Sequence, residues 1–318
     1  MRLRGARRHL LAALLFAGGI AAWRFAGFAG EDRLGEIAVW AVFAMSLDLL
    51  VGYAGMVSLG HALFYGIAAY ALAALTQFFG WPPLLGIAAG IALAAVAAAI
   101  LGFIVVRIGG VFFIMITLAL GQMGWAYVLR ARTFGGFGGM SGVPQIDLSS
   151  LGLQLMNPAD FALVAVILAA IVYIVLAFLV ASPFGHMLVA LHQNENRARA
   201  LGLPVFRYKL AIFTIAGAVA GLAGAMAAER TQLVTPDALV WTTSGDVLVM
   251  VILGGLGTLS GPVAGAALWV VLRDVISAYT PYWMLVMGGF FIAIVLFADN
   301  GLYGLLGRRR ARTIIDDA

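Results

Sequence analysis

No cysteine occurs in the chain, which excludes disulfides, iron–sulfur clusters and thiol catalysis. Charge is nearly as scarce. Only 10% of the 318 residues are Asp, Glu, Lys or Arg, against roughly a quarter in soluble domains. Histidine is confined to positions 9, 61, 186 and 192, with no metal-binding spacing among them. There is no G-x-x-x-x-G-K-[ST], so Gly135-Gly136-Phe137-Gly138-Gly139 reads as a flexible loop rather than a nucleotide-binding one. No H-E-x-x-H and no paired carboxylate cluster suggests metal hydrolysis. These absences point away from an enzyme, and neither catalytic residues nor a cofactor are expected. Uphill transport by such a chain would need an ion gradient or a separate ATPase.

What remains is apolar. Hydrophobic residues make up 64% of the chain and the mean hydropathy is +1.05. A soluble protein could not hide that much apolar surface, whereas lipid accepts it. The 40 glycines and long Ala-rich stretches suit helices that approach closely in a membrane. The formal charge of +5 does not indicate nucleic acid, because arginines gather at membrane edges: Arg2, Arg4, Arg7 and Arg8 at the start, Arg308, Arg309, Arg310 and Arg312 at the end.

A helix needs about 20 apolar residues to cross the hydrocarbon core. Candidate spans fall near 10–28, 37–55, 57–79, 84–106, 111–129, 160–181, 209–228, 243–256, 261–279 and 283–299. The stretch 243–256 is short and ends in glycines, as a broken or re-entrant helix would, so eight to ten crossings are expected. The expectation is an all-α polytopic bundle forming one transmembrane domain over 1–318. The arginine-rich start also resembles a cleaved signal peptide, but Gly27-Phe28-Ala29 is a weak cleavage signal and a retained helix is the reading preferred. Arg24 near its end would snorkel to the headgroups. With ten spans, both terminal arginine clusters, Arg107, Arg197, Arg199, Arg207 and Lys209 share the cytoplasmic side, and Arg33, Arg130, Arg132 and Arg230 lie outside. Residues 130–159 then form an external loop and 182–208 a cytoplasmic one. From Gly185 to Leu201 apolar positions recur at helical spacing before a Gly202-Leu203-Pro204 stop, predicting one amphipathic helix with Met187, Leu188, Leu191, Ala198 and Leu201 on a face. Such a helix docks on lipid or on another protein.

Few polar residues fall inside the spans. Asp48 lies about two-thirds along the second; at that depth it should face the bundle interior or a cavity, either functionally, as a polar wall of the substrate path or a lock between helices, or simply as a carboxyl hydrogen-bonded to a neighbouring helix. Ser58 and His61 sit just past the next break, and Thr117 and Gln122 lie in the fifth span; each reads as pathway lining or as a satisfied packing group. Arg273 and Asp274 are adjacent and should point apart, toward other helices or the outer surface. Gly52-x-x-Gly55-x-x-Ser58 recurs as Gly254-x-x-Gly257-x-x-Ser260, each time between two apolar runs. Interrupted helices of this kind build substrate sites in transporters.

Four ordered motifs together resemble the LivM-type permeases of branched-chain amino acid ABC importers, over roughly residues 37–300. They are SLDLLVGYAGMVSLGHALFYGIAAY (46–70), RIGGVFFIMITLALGQM (107–123) followed by TFGGFGGMSGVP (133–144), SPFGHMLVALHQNENRARALGLPVFRYKLAIFTIAGAVAGLAGAM (182–226), and DVLVMVILGGLGTLSGPVAGAAL (246–268). The resemblance implies an inner-membrane subunit with both termini cytoplasmic. Its partners would be a second homologous permease, two cytoplasmic ATPases and an external substrate-binding protein, with membrane lipid around them and no nucleic acid. It implies that Gly185, His192, Asn194, Glu195, Arg197 and Gly202 couple to the ATPases, and that Asp48, Ser58, His61, Gln122, Gly257 and Ser260 belong to the substrate pathway. The family's loop usually carries an Arg–Glu pair where this chain has His192-Gln193, and often an Arg at the place of His186, so the ATPase contact is less charged here. Relatives carry branched-chain or other amino acids, urea or short amides. An ion-coupled carrier using Asp48 is the transport alternative. A lipid-modifying membrane enzyme is disfavoured because Glu195 is the one carboxylate in the main internal loop.

Overall fold

Long apolar stretches fold as helices because lipid offers backbone N–H and C=O groups no partner, and only an intrahelical ladder satisfies them. A computed structural model describes residues 16–18, 28–149 and 152–297. The predicted first span, with Arg24, lies almost wholly outside these residues, as do both terminal arginine clusters. Of that span, Phe16 packs its ring on Tyr173.

The helices are α1 (Phe28–Asp48), extended by a π-helical turn (Leu49–Tyr53), α2 (Ala62–Phe79), α3 (Pro83–Val105), α4 (Val111–Arg130) and α5 (Pro158–Ala181). Two short helices follow, α6 (Pro183–Gln193) and α7 (Glu195–Ala200). The rest are α8 (Val205–Thr231), α9 (Trp241–Gly254), α10 (Ser260–Tyr279) and α11 (Trp283–Phe297). Seven helices among the described residues are long and apolar enough to cross a membrane, and α9 and α11 are shorter apolar helices. The polytopic helical bundle expected from composition is therefore present. The main differences are at the ends: α1 begins nine residues before the predicted span at 37, and α8 four before 209.

α1 is the hub. It packs against α5, α8, α9 and α10, and every residue from Ala41 to Leu50 is buried. α8 is the second central helix, packed on α1, α2 and α3. Small residues set its approach: a Cβ on Gly224 would overlap the Tyr65 carbonyl of α2, and one on Gly90 of α3 would lie 2.8 Å from the Ala68 carbonyl. α3 and α4 present mostly lipid-facing apolar surface, including Ile100, Phe103, Phe112 and Met115.

Two polar ends result. At one, ion pairs tie α1, α8 and α10 together: Arg230 to Asp32 at 2.9 Å and Glu36 at 3.3 Å, Arg273 to Glu36 at 2.8 Å, and Arg33 to Asp274 at 3.0 Å. Arg273 also donates to the adjacent Asp274 at 2.9 Å. Both residues pair with another helix, as expected, but they do not point apart; a long guanidinium folds back to its neighbour while its other nitrogen reaches α1. The loop after α4 covers this end. Its two-residue strand β1 (Met140–Ser141) pairs antiparallel with β2 (Leu233–Val234), and Gln145 donates to the Glu229 carbonyl at 2.8 Å. The turn after α3 and the α6–α7 pair lie at the other end.

Candidate functional site

The two glycine breaks singled out in the sequence meet in space. In the first, the π turn widens the end of α1 and Met56 N–H reaches back to the Leu50 carbonyl at 2.8 Å. Such turns interrupt a helix at a defined point. Gly55 follows with φ +70°, and α2 begins at Ala62, whose backbone N–H donates to Ser244 Oγ of α9 at 2.8 Å. In the second break α9 ends at Gly254, and Gly255, Gly257 and Leu259 all have positive φ before α10 starts. Leu259 at φ +55° is strained, because its Cβ crowds the backbone there.

Asp48 joins them. Its Oδ1 accepts from Gly257 N–H at 2.7 Å and its Oδ2 from Leu259 N–H at 3.1 Å, with the side chain fully buried. Asp48 thus pins, from another helix, the turn that leads into α10, near the end where the peptide dipoles favour a carboxylate. Thr258 completes the turn, accepting from Gly261 N–H at 2.9 Å and donating to the Gly255 carbonyl at 2.8 Å. Gly52 has no room for a side chain, since a Cβ would overlap the Gly257 backbone nitrogen. The geometry is that of a carboxyl hydrogen-bonded to a neighbouring element's backbone.

The remaining pathway candidates surround this junction. His61 is fully buried and stacks on Phe43 at 5.6 Å between centroids. The Ser46 hydroxyl donates to the Phe43 carbonyl at 2.6 Å, which leaves its oxygen to accept from His61 Nε2 at 2.9 Å. His61 Nδ1, Ser58 Oγ and Gln122 Nε2 are buried with no hydrogen-bond partner among the described residues. Gly60 brings the break against α4, close to the Thr117 carbonyl and to Gly121, the neighbour of Gln122. Thr117 is satisfied within α4 by the Ile114 carbonyl at 3.0 Å. Ser260 is buried and makes only a long 3.4 Å contact to the Thr258 carbonyl. Sequence reasoning missed Ser46, Ser244 and Thr258. Ser46, two residues before Asp48, was the one detectable from spacing; Ser244 and Thr258 give no signal outside the fold.

At the opposite polar end the predicted single helix over 185–201 is two. The side chain of Asn194 accepts from Arg197 N–H at 2.9 Å and its own backbone is extended, so it ends α6 and caps α7. Leu188, Leu191 and Ala198 are buried as expected, Met187 is half-buried, and Leu201 is exposed, because the bend at Asn194 rotates it away. Gly185 is needed at the turn out of α5, where a Cβ would overlap the Val180 backbone. Glu195 pairs with Arg199 and with Lys209, the single lysine of the chain, at 2.5 Å. Partial burial raises the Glu195 pKa, but hydrogen bonds and charge from Lys209 and Arg199 outweigh it and hold the carboxyl below its ordinary range. Arg197 is exposed, and Gly202 turns the chain at φ +80°. His192 lies against the first break: a Cβ on Gly55 would stand 3.2 Å from its ring. The chain of contacts from α6 through Gly55 and Gly52 to Gly257 is therefore continuous.

The family described as branched-chain amino acid transport system, permease component, matches residues 31–295. The high-affinity branched-chain amino acid permease protein LivM of Escherichia coli K12 is 31% identical over 88% of this chain and 72% of its own length. A probable LivM of Methanocaldococcus jannaschii is 24% identical over 85% of this chain and 93% of its own. The L-arabinose ABC transporter permease protein AraH of Azospirillum brasilense is 33% identical over a shorter stretch, 39% of this chain and 40% of that protein.

Proposed function

The chain belongs to the family of permease components of branched-chain amino acid transport systems, and from that premise we propose that it lines the membrane path of an ATP-driven importer for branched-chain amino acids. The observation that carries the reading is the contact chain from α6 to the two broken helices. An exposed helix pair rests on one break through His192 and Gly55, and that break rests on the other through Gly52, Gly257 and Asp48. Broken helices leave backbone groups to serve a polar solute, and a docked helix pair offers a partner a handle on them.

In this reading Asp48 holds the junction and Ser58, His61 and Gln122 supply unpaired polar atoms toward the path, with Ser260 beside them. Gly185, Asn194 and Gly202 shape the α6–α7 pair, and His192, Glu195 and Arg197 transmit the motion of ATPase subunits. A second permease copy, two ATPases and an external binding protein complete the assembly, in a bacterial inner membrane. The α6–α7 end faces the cytoplasm. The described basic residues divide evenly between the two ends, so the orientation rests on the expectation that the arginine clusters near both ends of the sequence stay cytoplasmic.

The test is isolation of the protein from its native membrane with identification of every chain that accompanies it. Two ATPase subunits and a second permease are expected. Recovery of this chain alone, under conditions that keep a known ABC complex intact, would overturn the reading in favour of a self-sufficient carrier.

A further inference from the structure

At the α6–α7 end a cleft of about 390 Å³ opens between the end of α3, α7 and the start of α8. Four cations line it, Arg107, Arg199, Arg207 and Lys209, against the single carboxylate of Glu195. Glu195 is already committed to Lys209 and Arg199. Arg107 and Arg207 have no carboxylate partner among the described residues. Arg107 is exposed yet packed: its guanidinium carbon lies 4.7 Å from the Phe103 ring centre and 4.8 Å from the Phe206 ring centre, against two rings that meet edge to face. Clamping an unpaired arginine in a cleft leaves its N–H groups pre-arranged for an anion. The first turn of α8, Pro204–Arg207, forms another wall, so the N-terminus of a 27-residue helix adds its dipole to the same space.

The cleft also continues into an apolar strip. Leu93, Val96, Ile100 and Phe103, with Ile104 beside it, recur at three- and four-residue intervals along α3, and all are exposed. At about 1.5 Å per residue the strip is roughly 16 Å long, close to one leaflet of a hydrocarbon core about 30 Å thick. A cationic cleft at the head of a leaflet-length apolar strip matches one chemistry: a phosphate head on acyl chains.

We propose that this cleft is a binding site for an anionic phospholipid, with Arg107 and Arg207 holding the phosphate and the α3 strip receiving an acyl chain. The site rests on membrane embedding alone and stands or falls separately from the importer reading.

The full-length protein in mild detergent, delipidated and titrated with phosphatidylglycerol or phosphatidylcholine, tests it by native mass spectrometry. Wild type is expected to retain phosphatidylglycerol at least about tenfold better, and R107Q/R207Q to lose that preference, given the attraction each surface arginine exerts on anionic lipid. R207Q alone is the safeguard against misfolding, because the Arg207 side chain makes no hydrogen bond or ion pair among the described residues, and it should show a partial loss. Equal retention of the two lipids by wild type overturns the proposal. So does an undiminished preference in the variants. Displacement of phosphatidylglycerol by millimolar inorganic phosphate would make the cleft a free-anion site, and loss of ATPase co-purification with lipid retention intact would make it a protein-docking surface; both contradict the lipid assignment.

Discussion

Asp48 illustrates what a single residue can and cannot announce. An aspartate deep in an apolar run must have partners, and that much follows from its sequence position. The partners are two backbone N–H groups some 210 positions away, at a turn held in strained φ by Leu259, and no pattern within the second span could name them. Asp48→Leu strands both donors in a buried site, at a cost on the order of 1–3 kcal/mol each. Its thermal unfolding in detergent should fall well below wild type, with Asp48→Asn in between because the amide oxygen still accepts one bond. An unchanged unfolding temperature for Asp48→Leu would contradict the pin. Ser58 gives the opposite expectation. Its hydroxyl is buried without a partner among the described residues, so Ser58→Ala should be neutral or stabilising by about 1 kcal/mol while lowering uptake, if the hydroxyl serves the path. Lower stability together with normal uptake would return Ser58 to plain packing.

Among the elements, the spans themselves were legible because hydropathy is summed over about 20 residues and tolerates local errors. The α6–α7 pair was legible as helical and amphipathic but not as two pieces, since Asn194 is tolerable inside a helix and its capping role depends on the bend it creates. The pair is held to α8 by Glu195, whose carboxyl pKa lies below its ordinary value. A group lowered on folding stabilises the docked state above its unfolded pKa, and that contribution is lost as pH falls through the folded one. The protection of amides 185–203, measured against their intrinsic exchange rates, should therefore fall below the ordinary carboxylate range, and in Glu195→Arg it should be low at every pH. Exchange that ignores both changes would detach Glu195 from docking. Gly202 differs from the crowded glycines: open space surrounds it and only its φ of +80° demands glycine. Gly202→Trp is accordingly expected to insert normally and to lose uptake by re-aiming the α7–α8 connection, with a backbone cost of about 1 kcal/mol. Wild-type uptake by this variant would remove the connection from coupling.

For the whole molecule, the repeat of Gly-x-x-Gly-x-x-Ser hinted at two equivalent breaks, yet their direct contact is a property of the fold. The first lies at the end of α1 itself and the second between α9 and α10, which both pack on α1, and Gly52 allows the two backbones to touch. The same packing places α6 beneath the first break, so a push on the helix pair has a short route to both breaks. The measurement that tests this most directly uses the absence of cysteine, which makes a G55C/H192C pair the only thiols in the chain. Reconstituted with its partner subunits in proteoliposomes, the reduced pair should take up leucine on addition of ATP. Oxidation should stop uptake, and reduction should restore it. Undiminished ATP-driven uptake with the cross-link formed would contradict the account, because the helix pair and the break would then not need to move against each other.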